Sequence, residues 1–211
     1  ISTILGGAEQ VEEAIDNLKR KAAPALIGIA STALTETRGE DVAGELRALR
    51  DRRSDLADTA VVYASTPDFI GGLEDGWRRA VAAMIDELVP ATGRRRPDQV
   101  NLLAGSHLTA ADIEELTGLV RAFGLEPIVL PDISTSLDGH VEEDWRGTAW
   151  GGTPLADIRR MGESICTLVV GESLSSSAEC LEQRAGVPFR VFDRLTGLRA
   201  VDGFVATLMA L

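Results

Sequence analysis

Residues 25–41 read ALIGIASTALTETRGED, and this stretch decides the fold. Residues 25–30 form a continuous apolar run, too short for a typical helix. Pro24 precedes it and a Ser/Thr cluster follows, which marks a buried strand. Thr35-Glu36-Thr37-Arg38-Gly39 then reads as a polar loop, with a helix starting near Glu40. In an open α/β fold, a loop between a strand and a helix lies at the carboxyl edge of the sheet, where ligands bind. Residues 60–64 repeat the plan: a strand, then Ser65-Thr66-Pro67-Asp68-Phe69, then a helix from about Leu73. The two loops are expected to open onto the same edge of one sheet.

Upstream, residues 8–21 predict a helix. Val11, Ala14, Ile15 and Leu18 share one face, and acidic residues at its start and Lys19-Arg20-Lys21 at its end suit the helix dipole. Downstream of the first loop comes a helix over 41–50, weakened by Gly44, and then a charged connection. The helix over 73–89 carries its apolar residues, Leu73, Trp77, Val81, Met84 and Leu88, at spacings of three and four, so Trp77 is read as core. Residues 90–98, PATGRRRPD, are rich in breakers and charge and mark the candidate domain boundary, with Arg94-Arg95-Arg96 a solvated linker.

After that boundary the alternation restarts. Strands are predicted over 100–104, 128–130, 165–170 and 189–192. Helices follow Thr109, with Ile113, Leu116, Val120 and Phe123 as the buried stripe, and cover 173–185 and 198–210. Gly124 and Gly186 sit where helices stop. Residues 132–153 have no clear period, and Thr153-Pro154 restarts a helix with the threonine as its cap. The expected fold is α/β, with two Rossmann-like domains over 1–93 and 97–211 and parallel sheets flanked by helices.

Composition narrows the function. A net charge of −12 over 211 residues argues against nucleic acid, whose binders need a basic face. No apolar stretch approaches the ~20 residues of a membrane span, and no signal peptide is visible. The two cysteines, Cys166 and Cys180, lack C-x-x-C spacing, which points to a reducing compartment and a cytoplasmic protein. Cys166 falls in an apolar strand and Cys180 in mid-helix, so both read as structural. His107 follows a strand end but belongs to a plain turn into a capped helix, and His140 lies in the irregular stretch. Neither has a G-x-S-x-G nucleophile to pair with. Gly6-Gly7, Gly71-Gly72 and Gly151-Gly152 fit no phosphate-binding frame and read as turns. Glu36 and Arg38 form either a structural ion pair or part of an interface, and Trp145 and Trp150 are candidate interface anchors. On residues alone, an α/β enzyme binding a nucleotide or anion at its strand ends stays open.

The wording of the loops carries more. T-E-T-R-G-E-D after S-T-A-L, then Y-A-S-T-P-D-F-I-G-G and G-W, resembles the nitrogenase component 1 family. The nearest likeness is to the smaller subunit of the scaffold that matures the iron–molybdenum cofactor. Gly105-Ser106-His107-Leu108-Thr109, Leu137-Asp138-Gly139-His140, Gly151-Gly152-Thr153 and Phe192-Asp193-Arg194-Leu195-Thr196-Gly197 extend the resemblance over nearly the whole chain. It implies a component 1-like fold and an assembly scaffold without independent catalysis. It also implies that the family's N-terminal segment and third domain are missing here.

The same resemblance assigns roles to positions. Ala33, Glu36, Ser65 and Asp68 would face the cluster, and Thr35, Glu36, Arg38, Asp68 and Phe69 would face a partner. In catalytic β-type subunits a cluster-ligating cysteine stands at the position of Ala33 and a serine at that of Asp68. These departures disfavour the reading as a nitrogenase β chain. The cofactor-holding cysteine of α-type subunits falls at Val170 or Gly171, neither of which ligates. No cofactor is therefore expected on this piece. An iron–sulfur cluster and an iron–molybdenum cofactor precursor are implied for the full complex, an α2β2 heterotetramer with a homologous α-type (NifE-like) subunit. Contact with the nitrogenase iron protein is implied as well.

Overall fold

The computed structural model describes residues 8–39, 41–56, 58–139, 144 and 150–211. The chain divides into two compact units between Gly72 and Leu73.

In the first unit, helix α1 (Ala8–Ala22) leads to strand β1 (Leu26–Ala30), the one-turn helix α2 (Ala33–Thr37), helix α3 (Val42–Arg52) and strand β2 (Ala60–Ala64). β1 and β2 pair in parallel, with Leu26 opposite Ala60 and Ala30 opposite Ala64. Ile15 from α1, Val42, Leu46 and Leu49 from α3, and Ile27 and Val61 from the strands form one core, with Ile29 and Tyr63 against it. Alternate strand residues point to one face, so α1 and α3 cover the same face of this sheet. Arg53 clasps them from outside, reaching Glu12 at 2.9 Å, Asp16 at 2.6 Å and Asp55 at 2.7 Å.

Two sequence expectations change here. The polar loop over 35–39 is partly helical, because Thr37 closes a single turn by donating its hydroxyl to the Ala33 carbonyl at 2.9 Å. Gly44 does more than weaken α3. Asp41 caps the helix by accepting from the Gly44 amide at 2.9 Å, and a Cβ on Gly44 would lie 2.2 Å from that carboxylate.

The second unit begins with helix α4 (Leu73–Leu88), followed by β3 (Arg96–Ala104), α5 (Ala110–Ala122), β4 (Glu126–Leu130), α6 (Leu155–Arg160), β5 (Ser164–Val170), α7 (Ser175–Ala185), β6 (Phe189–Phe192) and α8 (Leu198–Ala210). The four strands are parallel in the order β4-β3-β5-β6. From β3 the chain steps one way to β4, and from β5 it steps the other way to β6. Right-handed crossovers then put α5 and α7 on opposite faces. Ile113, Leu116 and Val120 of α5 and Phe204 and Leu208 of α8 fill the core over Val100, Leu102, Leu168 and Val170.

The division thus falls before α4 rather than at residues 93–97. α4 lies against α7: Ser177 donates to the Arg78 carbonyl at 3.1 Å, and Arg184 reaches Asp86 at 3.0 Å. The arginine run is also not a free linker. Arg95 donates to the carbonyls of Gly162 at 2.8 Å and Ala185 at 2.6 Å, and Arg96, already in β3, pairs with Glu163 at 2.7 Å. Leu73 is 77% exposed, and Trp77 is only half-buried, its indole N–H donating to the Ala104 carbonyl at 2.9 Å. Phe123 stands outside the α5 stripe, at the helix end just before Gly124. Pro154, not Thr153, occupies the cap of α6. The Thr153 hydroxyl instead accepts from the Asp132 amide at 3.0 Å and donates to the Val129 carbonyl at 2.6 Å. That pins the two ends of the 132–153 stretch together. His140 and Trp145 lie outside the described residues, and Trp150 is exposed. Among the described residues no helix is long and apolar enough to cross a membrane.

Candidate functional site

At the carboxyl ends of β1 and β2 the two loops meet. The Ser31 amide donates to the Ala64 carbonyl at 3.1 Å and prolongs the ladder by one bond. Beyond it the Thr66 amide donates to the Ser31 hydroxyl at 2.8 Å, and the Thr66 hydroxyl donates to the Ser31 carbonyl at 3.1 Å. One turn further, α2 carries Glu36 back over β2. The Glu36 carboxylate accepts from Ser65 at 2.6 Å and from Tyr63 at 3.1 Å. Hydrogen bonds to an ionised acceptor are about twice as strong as neutral ones, so Glu36 is the brace that holds both loops in one arrangement. Burial, with the Glu36 carboxylate beside it, pushes the Tyr63 phenol above its ordinary range.

The sequence-level candidates separate into two groups. Glu36 and Ser65 are brought together directly. Ala33 opens α2 and offers a methyl group, while Thr35 is half-buried on the same turn. Arg38, Asp68 and Phe69 are exposed on the outer rim. Tyr63, Ser31 and Thr66 were not singled out from sequence. The available signal was strand parity: Tyr63 is two residues before Ser65, so both lean toward the face that Glu36 covers. Three large apolar side chains stand in solvent here, Leu34 and Phe69 at 56% exposure and Ile70 at 52%.

The donor set does not fit an iron–sulfur cluster held by this chain alone. Such clusters take thiolates. This edge offers a methyl at Ala33 and a carboxylate at Asp68. Cys166 lies in the core on β5 and Cys180 on α7, and burial pushes both thiols up in pKa. Among the described residues no group of three or more His, Cys, Asp or Glu side chains is arranged to hold a metal ion.

The second unit has a cleft of its own, about 600 Å³, where β3 and β5 part company. His107, Gly171, Ser173 and Arg194 line it together with the carboxylates of Glu74, Glu172 and Asp193. This is the point at which strand order reverses, the position at which open α/β sheets hold ligands. Each strand ends in a glycine that admits no side chain. A Cβ on Gly105 would lie 2.6 Å from the Val170 carbonyl and 2.7 Å from the His107 ring. Gly171 has φ +113°, and its Cβ would meet the same ring at 3.0 Å. His107 therefore closes over both strand ends, and Val170 is fully buried.

The family model for nitrogenase component 1 type oxidoreductases matches residues 1–211. The chain belongs to the nitrogenase component 1 family. It is 59% identical over 213 residues to the nitrogenase iron-molybdenum cofactor biosynthesis protein NifN of Rhodobacter capsulatus, covering 100% of this chain and 46% of that protein. A protein of the same description from Mesorhizobium japonicum is 48% identical over 212 residues, again with 100% and 46% covered. A solved structure described as nitrogenase Cp1 at pH 6.5 superposes with a TM-score of 0.92 at 27% identity, over 99% of this chain and 45% of that one. The chain spans about half the length of the curated relatives it matches. Membership sets aside the reading as an unrelated nucleotide-binding enzyme.

Proposed function

We propose that this chain is part of a subunit of the cytoplasmic scaffold on which the iron–molybdenum cofactor of nitrogenase is matured. In this reading it pairs with a homologous α-type subunit in an α2β2 assembly that also meets the nitrogenase iron protein. Residues 33–39 and 65–70 form its face toward the partner. One observation carries the assignment of that face: a pair of loops joined through Glu36 leaves Leu34, Phe69 and Ile70 out in solvent. Ordering side chains in advance lowers the entropy lost on association, and exposed aromatic anchors supply much of the binding energy. Arg38 and Asp68 on the rim would steer and register the partner. The names of the relatives support the scaffold assignment over the catalytic β chain, and the methyl of Ala33 agrees with it. A cluster at this edge would be held by the partner and by other parts of the subunit, with these loops as lid and contact surface.

The test is to make Arg38→Ala and Phe69→Ala in the full-length protein and to measure assembly with an α-type subunit and thermal stability separately. Assembly weakened at least tenfold with stability kept within a degree or two is the expected result. Wild-type assembly with lowered stability would make the loops structural and refute the assignment.

A further inference from the structure

The one-turn helix α2 has little of its own to hold it in place. A helix of one turn is too short to persist in water on its own hydrogen bonds. None of its residues is buried, and its cap, Thr32, makes no side-chain bond to the first turn. Its short-range bonds close the turn without fixing where it points. Thr37 donates to the carbonyls of Ala33 at 2.9 Å and Leu34 at 3.1 Å, and the hydroxyls of Thr32 and Thr35 meet at 3.2 Å. Yet α2 is the element that presents Leu34 to solvent. Its orientation has to come from the sheet below.

Tyr63 supplies that link. It lies on β2 opposite Ile29, and both pack against the core shared by α1, α3 and the strands. The ring is held by apolar contacts, while the phenolic O–H emerges at the carboxyl edge and donates to the Glu36 carboxylate at 3.1 Å. A tyrosine joins an apolar body to a polar tip, and here the two ends serve different elements. Phenylalanine would pack on this strand equally well; what tyrosine adds at 63 is a hydroxyl that reaches α2. Ser65 donates to the same oxygen at 2.6 Å, but from the loop rather than from a strand. We infer that Tyr63 is a positioning residue for the partner face: its hydroxyl, through Glu36, carries the order of the core to α2 and so to Leu34. This rests on the reading of residues 33–39 as part of that face, and it names the residue beneath the face that presents it.

The test is Tyr63→Phe in the full-length protein, which removes one oxygen and keeps the ring. Without the partner, amide exchange is followed at Arg38 and Gly39, whose amides donate to the carbonyls of Leu34 at 3.2 Å and Glu36 at 3.1 Å and so report on the turn. Exchange there is expected to rise at least about tenfold, while the amides of Ile29 and Val62 in the strands keep their rates and the melting temperature stays within about two degrees. Apparent affinity falls with the fraction of molecules that keep the turn ordered, so assembly with an α-type subunit is expected to weaken at least about threefold. Adding Tyr63→Phe to Glu36→Ala is expected to change assembly no further, because both remove the same link; additive losses would overturn the inference. Unchanged exchange at Arg38 and Gly39 would overturn it whatever the face does. Faster exchange with wild-type assembly would overturn it too, and Phe69→Ala then separates the causes. If Phe69→Ala weakens assembly, the face stands and Tyr63 does not serve it; if both variants assemble as wild type, the face itself is wrong.

Discussion

Replacing Asn101 by alanine tests how the second unit sets the spacing of β3 against β5. Asn101 sits in mid-β3, 0% exposed, opposite Thr167 in the parallel register. Its amide nitrogen donates to the Met161 carbonyl at 3.0 Å and the Thr167 hydroxyl at 3.1 Å, and its carbonyl oxygen accepts from the Ser164 hydroxyl at 2.8 Å. Ser164 in turn accepts from Gln99 at 2.8 Å, which also donates to the Arg160 carbonyl at 2.9 Å. Alanine removes three bonds at once and leaves a buried carbonyl and two hydroxyls to find new partners. An orphaned buried polar group costs about 1–3 kcal/mol. The hydroxyls can turn toward other acceptors and so stand at the low end. With the small cavity added, the expected loss is about 3–5 kcal/mol. With a urea dependence of about 2 kcal/mol per molar, the unfolding midpoint drops by about 2 M. The assay is far-UV circular dichroism against urea, with Asn101→Asp in parallel. Aspartate keeps the volume but loses both donors, so it is expected to be at least as damaging. A midpoint shift below about 0.5 M for both variants would refute the network as a determinant of this unit.

Other outcomes follow from the remaining geometry. Arg53 holds the carboxyls of Glu12, Asp16 and Asp55 below the usual carboxylate range. Depressed folded values contribute stability that is complete above the unfolded pKa values, about 4, and fades as pH falls through the lower folded ones. Arg53→Gln is therefore expected to flatten the acid limb of a stability–pH curve below about pH 4, and an unchanged limb would contradict it. Gly105→Ala forces a Cβ to 2.6 Å from the Val170 carbonyl, with an expected cost of about 1–3 kcal/mol; a neutral thermal shift would count against this close approach. Reconstitution of this chain with iron and sulfide is expected to give no stoichiometric cluster, and its Cys166 thiol is expected to react with a thiol reagent only after unfolding. A reproducible visible band with about four irons per chain, the count of a cubane cluster, would refute that.

Sequence alone determined the elements and most of their ends, because those depend on neighbours. The apolar run of β1, the cap at Thr109 and the helix-ending Gly186 after α7 are properties of a few consecutive residues. It also determined that the 35–39 and 65–69 loops leave strands at one edge, since both follow parallel strands in the same sense. What it left open was every choice settled at a distance. The periodicity of 73–89 marks a helix whichever sheet it covers; what binds α4 to the second unit is distant in sequence, as at Ser177 and Arg184, about a hundred residues away. The Glu36 carboxylate accepts from Tyr63 and Ser65, 27 and 29 residues on, contacts that no local pattern announces. The arginine run read as solvated because charge prefers water, until folding brought the carbonyls of Gly162 and Ala185 within reach of Arg95. Local pattern encodes which backbone angles and faces a segment prefers. The partner of a buried or half-buried polar group depends on which distant segments the folded chain brings beside it, and that is written only in three dimensions.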